Sequence, residues 1–282
     1  MTQHERSATV IAIGNQKGGT GKSTVTVHLA AAFGRLGRSC LIIDLDPAAG
    51  STKHLGVSPE MFAGTMELLT SDEPLDILTV SKSLPEGVTL VPARPQLSEL
   101  DQNLPKTMDP SHLLTRGIEE ARRSYDYVLL DTSPYAAFAT TLAAYAVADW
   151  FLLTAFPHPL SLAGLSEAFR DLADVRSLSN PRLQVLGVVL TNVDRRARRM
   201  IAEIESALNE SAPGALLRTR ISQSVAIPEA SGRGQTVFEL QGTRGARSAK
   251  EFLDLAAEVE TRIGRPEPVM ATQLATPQTV EF

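Results

Sequence analysis

Residues 9–23, Thr9-Val10-Ile11-Ala12-Ile13-Gly14-Asn15-Gln16-Lys17-Gly18-Gly19-Thr20-Gly21-Lys22-Ser23, decide the fold class. The run 9–14 is β-branched and apolar, as a strand buried on both faces must be. A glycine-rich turn follows, and from Lys22, Ser23 and Thr24 the pattern becomes helical to about residue 36. Glycines let a backbone curl until successive N–H groups point inward at phosphate oxygens, and the helix N-terminus adds positive potential. In such a loop Lys22 reaches the β and γ phosphates of a nucleotide and Ser23 ligates Mg²⁺. The strict pattern G-x-x-x-x-G-K-[ST] would place glycine at position 16, where this chain has Gln16, and a second lysine, Lys17, stands five residues before Lys22.

Outward from this loop, short apolar runs alternate with helical patterns. The strands expected are 9–14, 40–45, 88–92, 127–131, 150–156 and 183–190, and the helices lie near 22–36, 60–70, 96–104, 110–123, 138–147, 160–178, 196–210 and 246–263. Strand and helix alternating in this way predict a doubly wound α/β domain, mostly parallel, with helices on both faces and ligands at the carboxyl ends of the strands. No internal repeat or linker divides the chain, so residues 1–264 are expected to form one domain. The polar, Pro-containing, aperiodic stretch 265–282 is expected to be a disordered tail.

Of the 282 residues, 43% are hydrophobic and 21% charged, a globular composition. The single cysteine, Cys40, excludes a disulfide framework, a Cys-based zinc site and a multi-thiolate cluster, and suits a reducing cytoplasm. The first ten residues lack the apolar core of a signal peptide, so export is not expected. Residues 135–156 are long enough to span a bilayer but are rich in Ala and Thr and contain Asp149, and so read as a buried helix followed by a strand. The net charge of −5 does not by itself suggest a nucleic-acid partner.

Two further strand ends carry acids. The second strand closes in Ile43-Asp44-Leu45-Asp46-Pro47, where alternation puts Asp44 and Asp46 on one face beside the phosphate loop; the plainer role for Asp46 is to cap the turn after Pro47. Residues 127–134, Tyr-Val-Leu-Leu-Asp131-Thr-Ser-Pro134, form an apolar strand ending in an aspartate placed to hold Mg²⁺ through water.

Together these motifs resemble the ParA/MinD family of deviant Walker A ATPases, whose signature is K-G-G-x-G-K-[ST], and within it the partition and positioning proteins. The resemblance spans about residues 8–263 and implies a P-loop fold of the SIMIBI type. It implies that Lys17 reaches across an ATP-sandwich homodimer to the partner's nucleotide, that Lys22 is the P-loop lysine, and that Asp46 orients the attacking water. Asp44 then supports the magnesium site with Ser23 and Asp131. Where the family commonly has Gln-Gly-Asn after the second acid, this chain has Ala48-Ala49-Gly50; for D-x-P-P it has Asp131-Thr132-Ser133-Pro134. ATP and Mg²⁺ are the implied cofactors.

Thr191-Asn192-Val193-Asp194 approaches the guanine-reading [NT]-K-x-D pattern with Asn192 in the lysine position, which leaves a GTPase open. The resemblance instead makes Asn192 an adenine contact and Pro228 a wall of the base pocket. Residues 194–250 hold ten basic and six acidic residues, a local +4 against −9 for the rest of the chain. Segregated charge of this kind makes a basic surface on an acidic protein. The family binds nonspecific DNA as an ATP dimer, so Arg195, Arg196, Arg198, Arg199, Arg218 and Arg220 are the candidate contacts, the more so because Ala226 replaces an arginine of the family's DNA-contacting segment. The resemblance further implies hydrolysis stimulated by a ParB-like or other cargo-adaptor protein, a cytoplasmic, nucleoid-associated location and a role in segregating a plasmid or chromosome or positioning a cargo. A MinD-like membrane protein is disfavoured, since the tail lacks a basic amphipathic face. A metabolic ATPase or GTPase of similar fold that does not bind DNA is the alternative.

Overall fold

Among the described residues, seven strands lie parallel in one sheet in the order β3-β2-β4-β1-β5-β6-β7, formed by β1 (Thr9–Gly14), β2 (Cys40–Asp44), β3 (Val88–Val91), β4 (Tyr127–Asp131), β5 (Trp150–Ala155), β6 (Gln184–Val193) and β7 (Leu216–Ser222). This is a computed structural model, and it describes residues 7–58, 60, 63–71, 88–103, 110–134 and 138–264. The helices are α1 (Lys22–Arg35), α2 (Gly50–His54), α3 (Thr65–Thr70), α4 (Leu97–Asn103), α5 (Thr115–Ser124), α6 (Ala139–Val147), α7 (Pro159–Leu178), α8 (Arg198–Ser211), α9 (Ala226–Gly232) and α10 (Ala246–Gly264). The tail expected at 265–282 lies outside the described residues.

Side-chain alternation along the strands feeds two cores. Ile11 and Ile13 of β1, Ile42 of β2 and Leu129 of β4 pack with Leu29 and Phe33 of α1 and with Phe252, Leu255 and Val259 of α10. Their neighbours Val10, Ala12, Ile43, Val128 and Leu130 face the other way, onto Leu68 of α3, Ile118 of α5, Ala143 of α6, Leu172 of α7 and Ile201 of α8. Because the central strands are covered on both faces, they read as unbroken apolar runs. Parallel pairing brings every strand's carboxyl end to one rim of the sheet, where the loop 15–21, Asp44, Asp131, Asn192 and Ser222 all lie.

The apolar stretch 135–156 resolves, over its described part, into α6 and β5, and among the described residues no helix is long and apolar enough to cross a membrane. Several elements differ from the sequence expectation, and those that bear on the site are these. Strand β2 ends at Asp44, so Asp46 lies in the following turn and not on the strand face. Strand β6 runs on to Val193, and α8 begins at Arg198, which leaves Arg195 and Arg196 ahead of its first turn. Strand β7, absent from the expectation, is an edge strand whose inward residues Leu217 and Ile221 are buried while Arg218 and Arg220 point outward.

Helix α10 does more than fill the core. Its Glu258 accepts the backbone N–H groups of Arg218 and Thr219 at 2.8 Å each, and its Glu251 accepts the N–H and hydroxyl of Ser222 at 2.9 and 2.7 Å. Arg262 completes the seam by donating to the carbonyls of Leu186, Gly214 and Leu216.

Candidate nucleotide-binding site

Helix α1 starts without a side-chain cap and without an acid in its first turn. Both are unusual, since helix N-termini favour Ser, Thr, Asp or Asn caps and negative charge. Its cap is Gly21, whose φ of 85° lies in the left-handed region that a side chain would strain. The first-turn N–H groups therefore face the rim with no side-chain cap among the described residues, which suits a bound anion.

The loop ahead of the helix is tied down by side chains from distant strands. Asn15 donates to the Thr154 carbonyl at 2.6 Å and accepts the Lys17 N–H at 2.9 Å. The Thr20 hydroxyl meets that of Thr154 at 3.0 Å, and Thr191 donates to the Thr20 carbonyl at 2.8 Å. Gln16, where the strict motif has glycine, donates to Asp171 of α7. Lys17 and Gly18 stand exposed at the loop's tip with Gly19, and the Lys17 ammonium has no ion pair among the described residues.

Lys22 points inward and is 6% exposed. Burial lowers its pKa, and the charges of Asp131 and Asp46 pull it back up, so the ammonium sits among two acids from different segments. Asp131 is fully buried, and burial pushes its carboxyl up to about 6, opposed by hydroxyls of Ser51 and Ser23 and by Lys22 and reinforced by Asp46. Asp44 is its register partner on the next strand and is likewise held well above the usual carboxylate range by burial and by the charge on Asp131.

The acids differ in what they touch. Asp44 Oδ2 accepts both the N–H and the hydroxyl of Thr52, at 2.9 and 2.7 Å, and its Oδ1 accepts the Asp46 N–H at 3.2 Å. It is thus spent on holding α2 and the turn before it. Asp46 is half-buried and its Oδ1 accepts the Ala48 N–H at 2.9 Å, the turn-capping bond that the sequence offered as its plainer role, while it still lies close enough to Lys22 and Asp131 to act on both. Asp131 Oδ2 accepts from Ser51 at 2.7 Å, and its Oδ1 is buried with no hydrogen-bond partner among the described residues.

That orphaned oxygen, on a carboxylate that the Ser23 hydroxyl also faces, fits a divalent cation, directly or through its water. Among the described residues no group of three or more His, Cys, Asp or Glu could hold a metal alone. An ion here would draw its remaining oxygens from phosphate and water, as Mg²⁺ usually does.

Next to the loop opens a cavity of about 600 Å³, lined by Gly19, Gly21 and Thr24 on one side and by Phe156, Asn192, Val225, Ile227 and Pro228 on others. Asn192 and Pro228, named from sequence, both reach it. Asn192 holds a φ of 51°, a left-handed conformation that asparagine tolerates better than most residues. Phe156, Val225 and Ile227 carried no sequence signal of their own: they gather only because β5, β6 and β7 end together.

The arginines separate into two groups. Arg196 pairs with Asp194 at 2.9 Å, Arg199 with Glu203 at 2.8 Å and Arg220 with Glu205 at 2.5 Å, the last tying β7 to α8. Arg195, Arg198 and Arg218 are exposed, and their side chains have no ion pair among the described residues. Only Arg198 and Arg199 oppose the dipole of α8, since the helix begins with them.

A family model described as an AAA domain matches residues 8–185. The chain is 34% identical over 255 residues to the chromosome-partitioning ATPase Soj of Thermus thermophilus, covering 90% of this chain and 96% of that one. It is 30% identical over 255 residues to the sporulation initiation inhibitor protein Soj of Bacillus subtilis, covering 89% and 97%. The fold is shared with cobyrinic acid a,c-diamide synthase of Mycobacterium smegmatis, solved with an ATP analog and magnesium, at a TM-score of 0.80 and 24% identity over 94% of this chain and all of that one.

Proposed function

The chain belongs to the ParA/Soj family of ATPases, and on that premise we propose that it is an ATP-driven switch that dimerises around two nucleotides, holds nonspecific DNA and releases it when a partner protein stimulates hydrolysis. The observation that carries this reading is the contrast between the two lysines: Lys22 is buried between Asp131 and Asp46, while Lys17 stands exposed with no ion pair among the described residues. A buried lysine serves its own phosphate loop. An exposed one on the same loop, with no acid of its own, is available to a second subunit.

In this proposal ATP lies with its phosphates over the N–H groups of residues 18–23 and its base in the cavity, edged by Asn192 and walled by Pro228. Asn192 reads the purine through its amide, which can both donate and accept. Ser23 and Asp131 hold magnesium, whose charge when bound neutralises the β and γ oxygens. Lys22 supplies a second cation there, and Lys17 of the partner subunit a third, so that hydrolysis waits on dimerisation. Asp46 keeps one oxygen for its turn and has the other to orient the attacking water. Asp44 acts at one remove, holding the turn that carries Asp46.

DNA would meet the exposed arginines of the α8 entrance and β7, with Arg195, Arg198 and Arg218 available to phosphate and Arg196, Arg199 and Arg220 sharing themselves with acids. Partition of a plasmid or chromosome, or placement of another cargo through a ParB-like adaptor, is the process such a switch serves, in a cytoplasmic, nucleoid-associated setting. Size-exclusion chromatography of Asp46→Ala with ATP tests the reading, followed by a mobility shift on nonspecific DNA over a salt series. A dimer that needs ATP and is lost on adding Lys17→Ala, together with ATP-dependent, salt-sensitive DNA binding, is expected. A protein that stays monomeric with ATP, or that binds DNA equally without nucleotide, overturns it.

A further inference from the structure

The short helix α2 stands directly on the acids. Its first residue, Gly50, leaves no room for a side chain, since a Cβ there would lie 2.2 Å from Ser23 Oγ and 2.9 Å from Ser23 Cβ. Its second residue, Ser51, is fully buried and donates to Asp131 Oδ2 at 2.7 Å. Its third, Thr52, donates twice to Asp44 and accepts the Ala93 N–H at 2.9 Å. Two consecutive hydroxyls on one helix thus grip two acids that are neighbours across the sheet.

The grips are unequal. Thr52 saturates the acid that holds the turn. Ser51 satisfies one oxygen of Asp131 and leaves the other buried with no hydrogen-bond partner among the described residues. An unmade hydrogen bond at a buried acceptor is costly, and a bound ligand at that oxygen would offset the cost. A carboxylate bonded through neither oxygen can turn about its last torsion, whereas one pinned at Oδ2 presents Oδ1 in a fixed direction.

Resting on the reading of the site as one for magnesium and ATP, we propose that Ser51 is the positioning residue for the divalent cation, fixing the Asp131 carboxylate and thereby making cation affinity depend on α2 being closed over Ser23. The turn that holds Asp46 leads directly into α2, so the same closure sets the placement of the acid assigned to the attacking water. Cation loading and water positioning then share one helix. Gly50 is required for it, because a Cβ at 50 would displace the Ser23 hydroxyl.

The test uses Mn²⁺ as the probe, with its binding to the ADP-bound protein read by electron paramagnetic resonance of the free ion. Ser51→Ala should weaken Mn²⁺ binding by about tenfold or more, the usual scale for losing an outer partner of a metal ligand. ADP affinity in EDTA should stay near wild type, while the thermal midpoint without metal falls modestly because Asp131 Oδ2 loses its donor. Ser51→Cys, which keeps a side-chain donor but a weak one, should fall between and provides the comparison if the alanine variant folds poorly. Unchanged Mn²⁺ affinity in both variants overturns the proposal, as does an equal loss of ADP affinity in EDTA, which would mark a packing role. Wild-type protein that binds no Mn²⁺ with ADP overturns the magnesium reading itself along with this inference.

Discussion

Replacing Asp131 by asparagine should stabilise the ligand-free protein at neutral and alkaline pH while disabling the site. The carboxyl is raised from an ordinary 3.8 to about 6, first by burial, with the hydroxyls of Ser51 and Ser23 and the Lys22 charge working against it. An acid whose pKa is higher folded than unfolded binds its proton more readily in the native state. Stability therefore declines as pH rises from 3.8 toward 6 and stays lowered above that. About two pKa units correspond to roughly 3 kcal/mol. Asparagine keeps the shape and carries no charge, so it escapes this cost, which is already net of the bonds from Ser51 and Ser23 and the attraction to Lys22. The net gain expected from these opposing terms is about 1–3 kcal/mol at pH 8. Urea unfolding in EDTA, without nucleotide, measures it at pH 8 and pH 5. The advantage should shrink by more than about 1 kcal/mol at the lower pH, where the wild-type carboxyl is largely protonated. ATP hydrolysis by the variant should fall at least about a hundredfold, the scale on which removing one electrostatic stabiliser of a transition state is felt. An asparagine variant less stable than wild type at pH 8, or a stability difference the same at both pH values, would refute the electrostatic account of this residue.

Other perturbations read other parts of the molecule. Arg195→Ala with Arg198→Ala should weaken DNA binding in the ATP state and reduce the log-log salt slope by about 0.9 for each phosphate no longer neutralised, while Arg196→Ala with Arg199→Ala, whose side chains are already paired, should do less; gel shifts across a salt series compare them. Asn192→Ala should narrow the preference for ATP over GTP by about tenfold in competition binding, since one hydrogen bond to the base edge is worth about 1–2 kcal/mol. Thr191→Val keeps the buried volume but deletes the bonds to Thr20 and Ala155. It should cost about 1–3 kcal/mol in chemical denaturation and lower ATP affinity, because the loop loses an anchor.

The strand-loop-helix unit around Lys22 was legible because its physics is local: an apolar run, glycines and a helix start occupy fifteen consecutive residues. The acids were legible as strand ends, but their division of labour was not. Thr52 settles Asp44 and Ser51 settles Asp131, and nothing in the turn Ala48-Ala49-Gly50 announces a helix short enough to carry both, least of all with Ala49 at a φ of 54°. The threonine anchors of the phosphate loop come from 134 and 171 residues away and leave no trace in local pattern. Strand β7 was hidden for a different reason. Its alternation is regular, but Arg218 and Arg220 stand out as charge when they are also the outward half of a pleat.

The seam between α10 and β7 has a consequence for how copies of this chain can meet. An edge strand ordinarily offers a row of bare amides on which a neighbour's strand can polymerise. Here Glu251 and Glu258 already occupy the amides of Arg218, Thr219 and Ser222, so at these positions β7 is sealed by α10. A neighbouring strand could pair with these amides only by displacing Glu251 and Glu258, so continuous sheet growth along that stretch of edge carries the cost of breaking those bonds.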